Sequence, residues 1–253
     1  MAMSLLRTDD LSVSFGGVHA LSHVDLEVVE GGVTGLIGPN GAGKTTFIDA
    51  VTGMVTSSGH VFLDGVNITA LPPADRARRG LVRTFQTLEL FEDLTVEDNL
   101  AAGAMHTPWW QFLKDALWPW GSRHTPHEVE DALELLGLTA ERDRFPADLS
   151  HGRRRLVGVA RALAAVPLVL LLDEPAAGLD SAESRALGER LRAIADTGVT
   201  VFLIDHDMSL VLDVCDTIHV LDFGEIIASG TPEEIRNNPA VVAAYLGRAA
   251  ETS

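Results

Sequence analysis

The sequence predicts an α/β fold: a mixed to parallel central sheet, a β-rich amino-terminal part and a helical lobe. Three observations carry that prediction. Residues 33–37, 168–172 and 199–204 are short apolar runs, the mark of strands covered on both faces. The stretch 181–195 between the last two has helical periodicity, so a strand-helix-strand crossover is expected there. Residues 96–161 are dominated by helical spacing, which sets a lobe apart from the sheet.

Taken in order, residues 11–15 alternate like a strand, and the apolar run 33–37 follows. Val61-Phe62-Leu63 before Asp64-Gly65 reads as a strand entering a tight turn. Within the lobe, residues 128–136 show helical spacing, and Ser150 starts a further helix running to about Ala165. Near the end, Asp222-Phe223-Gly224 and Ser229-Gly230-Thr231-Pro232 punctuate the chain. Thr231 is placed to cap a short helix through Arg236, with Pro232 at its first position.

Composition narrows the function classes. With 36 acidic against 19 basic side chains the formal charge is −17, which argues against a nucleic-acid surface. Cys215 is the sole cysteine, so no intrachain disulfide forms; the usage fits a reducing compartment and a small buried side chain. No signal-peptide pattern opens the chain, and no apolar run nears the roughly 20 residues that span a bilayer. The expectation is a soluble chain that docks on something membranous.

The chemistry concentrates in a few short segments. Gly38-Pro39-Asn40-Gly41-Ala42-Gly43-Lys44-Thr45-Thr46 follows an apolar strand and opens a helix, as a phosphate-binding loop must. The glycines let backbone N–H groups curl around phosphates, Lys44 reaches the outer phosphate oxygens, and the Thr45 hydroxyl is placed to ligate Mg²⁺. The helix adds the positive end of its dipole. The run 168–172 ends in Asp173-Glu174-Pro175. One carboxylate, Asp173, is suited to holding Mg²⁺ through water, and the other, Glu174, to polarising an attacking water.

Leu149-Ser150-His151-Gly152-Arg153, the carboxylate strand, Ala177-Gly178-Leu179-Asp180 and Ile204-Asp205-His206-Asp207 stand in a fixed order after the loop. This series resembles that of ATP-binding cassette (ABC) ATPases over nearly the whole chain. The resemblance implies a P-loop NTPase core with an amino-terminal antiparallel β subdomain and a helical lobe. Residues 1–253 then form one domain, with the core at about 1–95 and 166–230, the lobe at about 96–165 and a carboxyl-terminal helical extension from about 231. It also implies roles. Phe15 stacks on adenine; Gln86, in Arg83-Thr84-Phe85-Gln86, touches Mg²⁺ and the attacking water; His206 hydrogen-bonds the γ-phosphate; Asp180 couples two sites across a dimer. In the family, Ser150 and Gly152 of a second cassette complete the phosphate loop, so hydrolysis of ATP needs a pair. His151 and Arg153 depart from the usual glycine and polar residue of that pentapeptide. Arg153 either adds a cation near the partner's nucleotide or starts a basic helix with Arg154 and Arg155.

Further phrases, Leu90-Phe91-Glu92-Asp93-Leu94 and Gly230-Thr231-Pro232-Glu233-Glu234 among them, resemble cassettes of branched-chain amino acid importers. Urea, amide and lipopolysaccharide-extraction cassettes look similar. The implied partners are a second cassette of the same or a different sequence, two membrane permeases and, indirectly, an extracytoplasmic solute-binding protein, at the cytoplasmic face of the inner membrane. All four tryptophans fall between Trp109 and Trp120 on one amphipathic helical stripe. That stripe packs on its own lobe, meets a membrane subunit or touches lipid. A GTPase would carry an Asn-Lys-x-Asp base-reading motif, and none is found. Cassettes of translation and DNA repair generally link two copies or insert coiled coils.

Overall fold

The computed structural model describes residues 4–84, 90–104 and 127–249. The chain divides into two compact units, Met1–Thr87 with Pro167–Ser253, and Leu88–Val166. The first unit begins with β1 (Ser4–Phe15), β2 (Val18–Val29), β3 (Val33–Ile37), α1 (Lys44–Thr52), β4 (Ser58–Leu63), β5 (Val66–Asn67), α2 (Pro73–Arg78) and β6 (Leu81–Arg83). The second unit holds α3 (Val96–Ala104), α4 (His127–Leu135) and α5 (His151–Leu163). The first then resumes with β7 (Val169–Asp173), α6 (Ser181–Asp196), β8 (Thr200–Ile204), α7 (Met208–Val214), β9 (Thr217–Asp222), β10 (Glu225–Gly230), α8 (Pro232–Arg236) and α9 (Pro239–Ala249).

One antiparallel sheet runs β2-β1-β4-β5, and a mixed one runs β10-β9-β3-β8-β7-β6. In the mixed sheet every neighbouring pair is parallel except β9 with β10. Every residue of β3, β7 and β8 is buried, which is why these strands read as largely apolar runs without alternation. Phe47 of α1 meets Phe202 of β8 with ring centroids 5.8 Å apart, at the centre of the core. Arg76 is buried beneath the end of α1, where its guanidinium donates to the carbonyls of Ala50 at 2.9 Å and Val51 at 2.7 Å. That satisfies carbonyls left open at a helix terminus with a cation of the favoured sign.

The strand expected at residues 11–15 extends back to Ser4. Register shifts at Thr8/Leu11 and Leu11/Val13 break its alternation, so a period-2 reading catches only the last part. Thr231 caps α8 in a full capping box with Glu234. In the second unit, Arg142 joins Glu97 of α3 to Glu130 of α4, and Asn99 ties its amide to the carbonyls of Phe91, Leu94 and Thr95. Gln86 and the tryptophan-bearing stretch 109–120 lie outside the described residues.

His219 of β9 is buried between the sheets, its ring nitrogens bonded to the Ser229 hydroxyl at 2.7 Å and the Glu27 carbonyl at 3.1 Å. Burial holds its pKa below the ordinary 6.5. The unfolded chain therefore takes up the proton first, and stability present above 6.5 is lost as pH falls through the folded value. Urea midpoints between pH 7.5 and 5 are expected to fall, and His219→Gln is expected to flatten that fall.

Candidate functional site

Four parallel neighbours, β3, β8, β7 and β6, end along one edge of the mixed sheet. Their carboxyl ends lead respectively into the glycine loop, Asp205-His206, Asp173-Glu174 and Arg83. Ligands of α/β sheets bind at such edges. Here the loop, through Asn40, Gly41, Gly43, Lys44, Thr45 and Thr46, and Glu174 line one cavity of about 440 Å³.

The loop needs two of its glycines for space. A Cβ on Gly38 would lie 2.0 Å from the Leu221 carbonyl, and one on Gly43, whose φ is 109°, would lie 2.7 Å from the Ala20 carbonyl. Lys44 is buried, and its ammonium donates to the carbonyls of Gly38 at 2.6 Å and Pro39 at 3.1 Å. The cation is thereby held inside the loop it serves. Pro39 and Ala42 shape the loop, the Ala42 N–H donating to the Pro39 carbonyl at 3.1 Å.

Glu174 sits at φ 48°, a costly conformation for a residue with a side chain, and its N–H donates to the Ile204 carbonyl at 2.7 Å. That bond ties the end of β7 to the end of β8, and it brings His206 Nδ1 to 3.8 Å from Glu174 Oε2. Asp173 is buried and accepts from Arg83 at 2.8 Å; Arg83 also pairs with Asp49 of α1. Burial pushes the Asp173 carboxyl up, and the Arg83 guanidinium pulls the other way.

Among the described residues no group of three or more His, Cys, Asp or Glu is arranged to hold a metal. Magnesium ordinarily keeps water and phosphate oxygens and takes only one or two protein oxygens, so the hard donors Thr45 and Asp173 fit it.

The other expected residues are placed as follows. Phe15 ends β1 and is 53% exposed, which removes the possibility that it is a core aromatic. It does not line the cavity, whereas Val18 and His19 just beyond its turn do. Asp180 caps α6, accepting from the N–H groups of Ala182 and Glu183, both at 2.8 Å. Ser150 and Gly152 belong to the second unit, where the Ser150 hydroxyl caps α5 by accepting from the Arg153 N–H at 3.3 Å. The Arg153 guanidinium is engaged in its own unit, on the Gly137 carbonyl at 2.9 Å and Glu141 at 3.2 Å. Those contacts favour the basic-helix reading of this residue.

Three residues near the site escape sequence reasoning. Asp205 is fully buried and accepts from the N–H groups of Ala176 at 3.1 Å and Asp207 at 2.9 Å, so one carboxylate fastens the turns after Glu174 and around His206. Its position directly before His206, at the end of an apolar run, is the only signal the sequence offers. Tyr245 of α9 lies against the backbone of Gly38, and burial pushes its phenol up to about 12. Phe223, in the turn after β9, lines the same cavity as Lys44.

Comparison with known proteins agrees with this arrangement. Residues 21–177 match the family described as ABC transporter, and residues 225–251 match the family described as branched-chain amino acid ATP-binding cassette transporter. The high-affinity branched-chain amino acid transport ATP-binding protein LivG of Salmonella typhimurium is 41% identical over 261 residues, covering 98% of this chain and 100% of that protein. The lipopolysaccharide export system ATP-binding protein LptB of Haemophilus influenzae is 37% identical, covering 97% of this chain and 98% of its own length. The crystal structure of the ADP conformation of MJ1267, an ATP-binding cassette of an ABC transporter, superposes with a TM-score of 0.83 at 32% identity, covering 97% of this chain and 99% of that one. A phosphate loop, an acidic strand end and a histidine gathered on one sheet edge, matched over this length, make the chain a member of the ABC transporter family, as its ATP-binding and ATP-hydrolysing cassette.

Proposed function

We infer that the chain powers uptake of branched-chain amino acids, as the cassette of an importer at the cytoplasmic face of the inner membrane. The observation that supports the chemistry is the single cavity shared by Lys44, Thr45 and Glu174, with His206 beside Glu174. The observation that supports the cargo is the carboxyl-terminal match at residues 225–251, together with the likeness to LivG.

In this reading Lys44 and the loop N–H groups bind the triphosphate, and Phe15 faces the adenine. Thr45, Asp173 and Gln86 supply oxygens for Mg²⁺, which neutralises charge on the phosphate oxygens when bound. Glu174 accepts the proton of the attacking water, and His206 donates to the γ-phosphate. Ser150 and Gly152 of a second cassette close the loop, and Asp180 links the two sites. ATP thus joins two cassettes, and hydrolysis parts them against a pair of permease subunits. No helix of the described residues is long and apolar enough to cross a membrane, so the energy reaches the bilayer through those partners.

Cells lacking the chain are expected to lose high-affinity leucine uptake while their surface lipopolysaccharide is unchanged. The opposite result would favour lipopolysaccharide export, the reading supported by the likeness to LptB. Affinity purification from native membrane is expected to recover two permeases; recovery of ribosomes or DNA would overturn transport altogether.

A further inference from the structure

The turn joining β9 to β10 has two residues, Phe223 and Gly224, between the paired Asp222 and Glu225. Both have positive φ, 45° and 83°, the signature of a type I′ turn, which favours Asn-Gly and strains an aromatic in its first position. The ring does not repay that strain by being buried, since Phe223 is 74% exposed. Nor is the turn free to carry it away. The Gly224 N–H donates to the Ala42 carbonyl of the phosphate loop, and the Gly224 carbonyl accepts from Ser22, each at 2.9 Å. A Cβ on Gly224 would meet the Ala20 carbonyl at 2.7 Å, so the turn is seated directly on the loop's flank.

A strained, exposed aromatic is therefore held at one place by backbone bonds to the phosphate loop. That place lies on the lining of the cavity that Lys44 and Thr45 also line, where Val18, itself 70% exposed, adds a second apolar side chain. The cavity is lined both by Lys44 with the phosphate loop and by the apolar side chains of Val18 and Phe223, which suits a ligand that carries a polyphosphate and a flat apolar ring.

We propose that Phe223 is a further nucleotide-contact residue, packing its ring against the base and ribose of the nucleotide whose phosphates the loop holds. This rests on the reading of the loop as the ATP site. Aromatic contacts with bases are tolerant of geometry, so a cavity-lining residue outside the expected Phe15 position can contribute.

Titration calorimetry of the full chain with MgADP and with inorganic tripolyphosphate, which has no base or ribose, separates the possibilities. Phe223→Asn is expected to weaken MgADP by about 5- to 150-fold, the size of one aromatic contact, and to leave tripolyphosphate unchanged. Phe223→Tyr is expected to restore the MgADP affinity. The Asn variant should melt at or above the wild-type temperature, since the turn prefers that residue. Unchanged MgADP affinity in Phe223→Asn overturns the proposal, as does equal weakening of both ligands, which would make the turn a brace for the loop. Wild-type protein that binds neither ligand overturns the site reading itself, and this contact with it.

Discussion

Glu174→Gln is expected to lower ATP turnover by about 10²–10⁴-fold while MgATP affinity is retained. The substitution keeps the shape of the side chain and the strained backbone at φ 48°, including the N–H bond to Ile204 that joins β7 to β8. What it removes is a proton acceptor on the wall of the cavity that holds Lys44. Binding and chemistry should therefore separate. Steady-state phosphate release measures the first effect, and nucleotide titration the second. Turnover within about tenfold of wild type would mean that another group takes the proton. His206 is the neighbour to examine in that event, lying 3.8 Å from Glu174 Oε2.

Arg83→Ala is expected to destabilise the first unit by about 3–5 kcal/mol, because it strands carboxylates that the guanidinium now serves together. Asp173 is the more costly of the two, being 5% exposed at its side chain, against 28% for Asp49. Burial already holds the Asp173 carboxyl above its ordinary value, and without Arg83 burial, Glu174 and Asp49 would raise it further above the unfolded one. The folded state would then take the proton first, so the deficit should shrink as pH falls through that folded value. Urea denaturation at pH 7.5 and pH 5 tests both statements. Arg83→Lys should recover only part of the loss, since one ammonium cannot reproduce a planar fork bonded to two carboxylates.

Much of the fold was legible because the central strands are wholly buried. Val33–Ile37 matches its expected bounds, with Gly31-Gly32 before it and Gly38 after it as punctuation. The helix expected at 181–195 ends at Asp196, and the one expected at 128–136 is His127–Leu135. The amino-terminal sheet was less readable. The bulges of β1 disturb its alternation, and its partner β2 was not anticipated, although much of it alternates buried and exposed. In the site, the loop and the Asp173-Glu174 pair carry their chemistry in consecutive residues and could be read directly. Tyr245 and Phe223 could not. Each reaches the loop only through the packing of the carboxyl-terminal strands and helix, and Asp222-Phe223-Gly224 in sequence is an ordinary turn.

The sheet order also sets a schedule for synthesis. β3 pairs only with β8 and β9, both made long after it. At about 5–20 residues per second, roughly 10–40 s separate Ile37 from the last residue of β9 on a ribosome. For most of that interval, until β8 is made, a fully buried and largely apolar strand and the glycine loop behind it have neither flank paired, which is the condition under which nascent chains aggregate. The strand that delivers the phosphate loop is thus laid down early and locked late, so this cassette should depend on chaperone cover while its carboxyl-terminal half is still being translated.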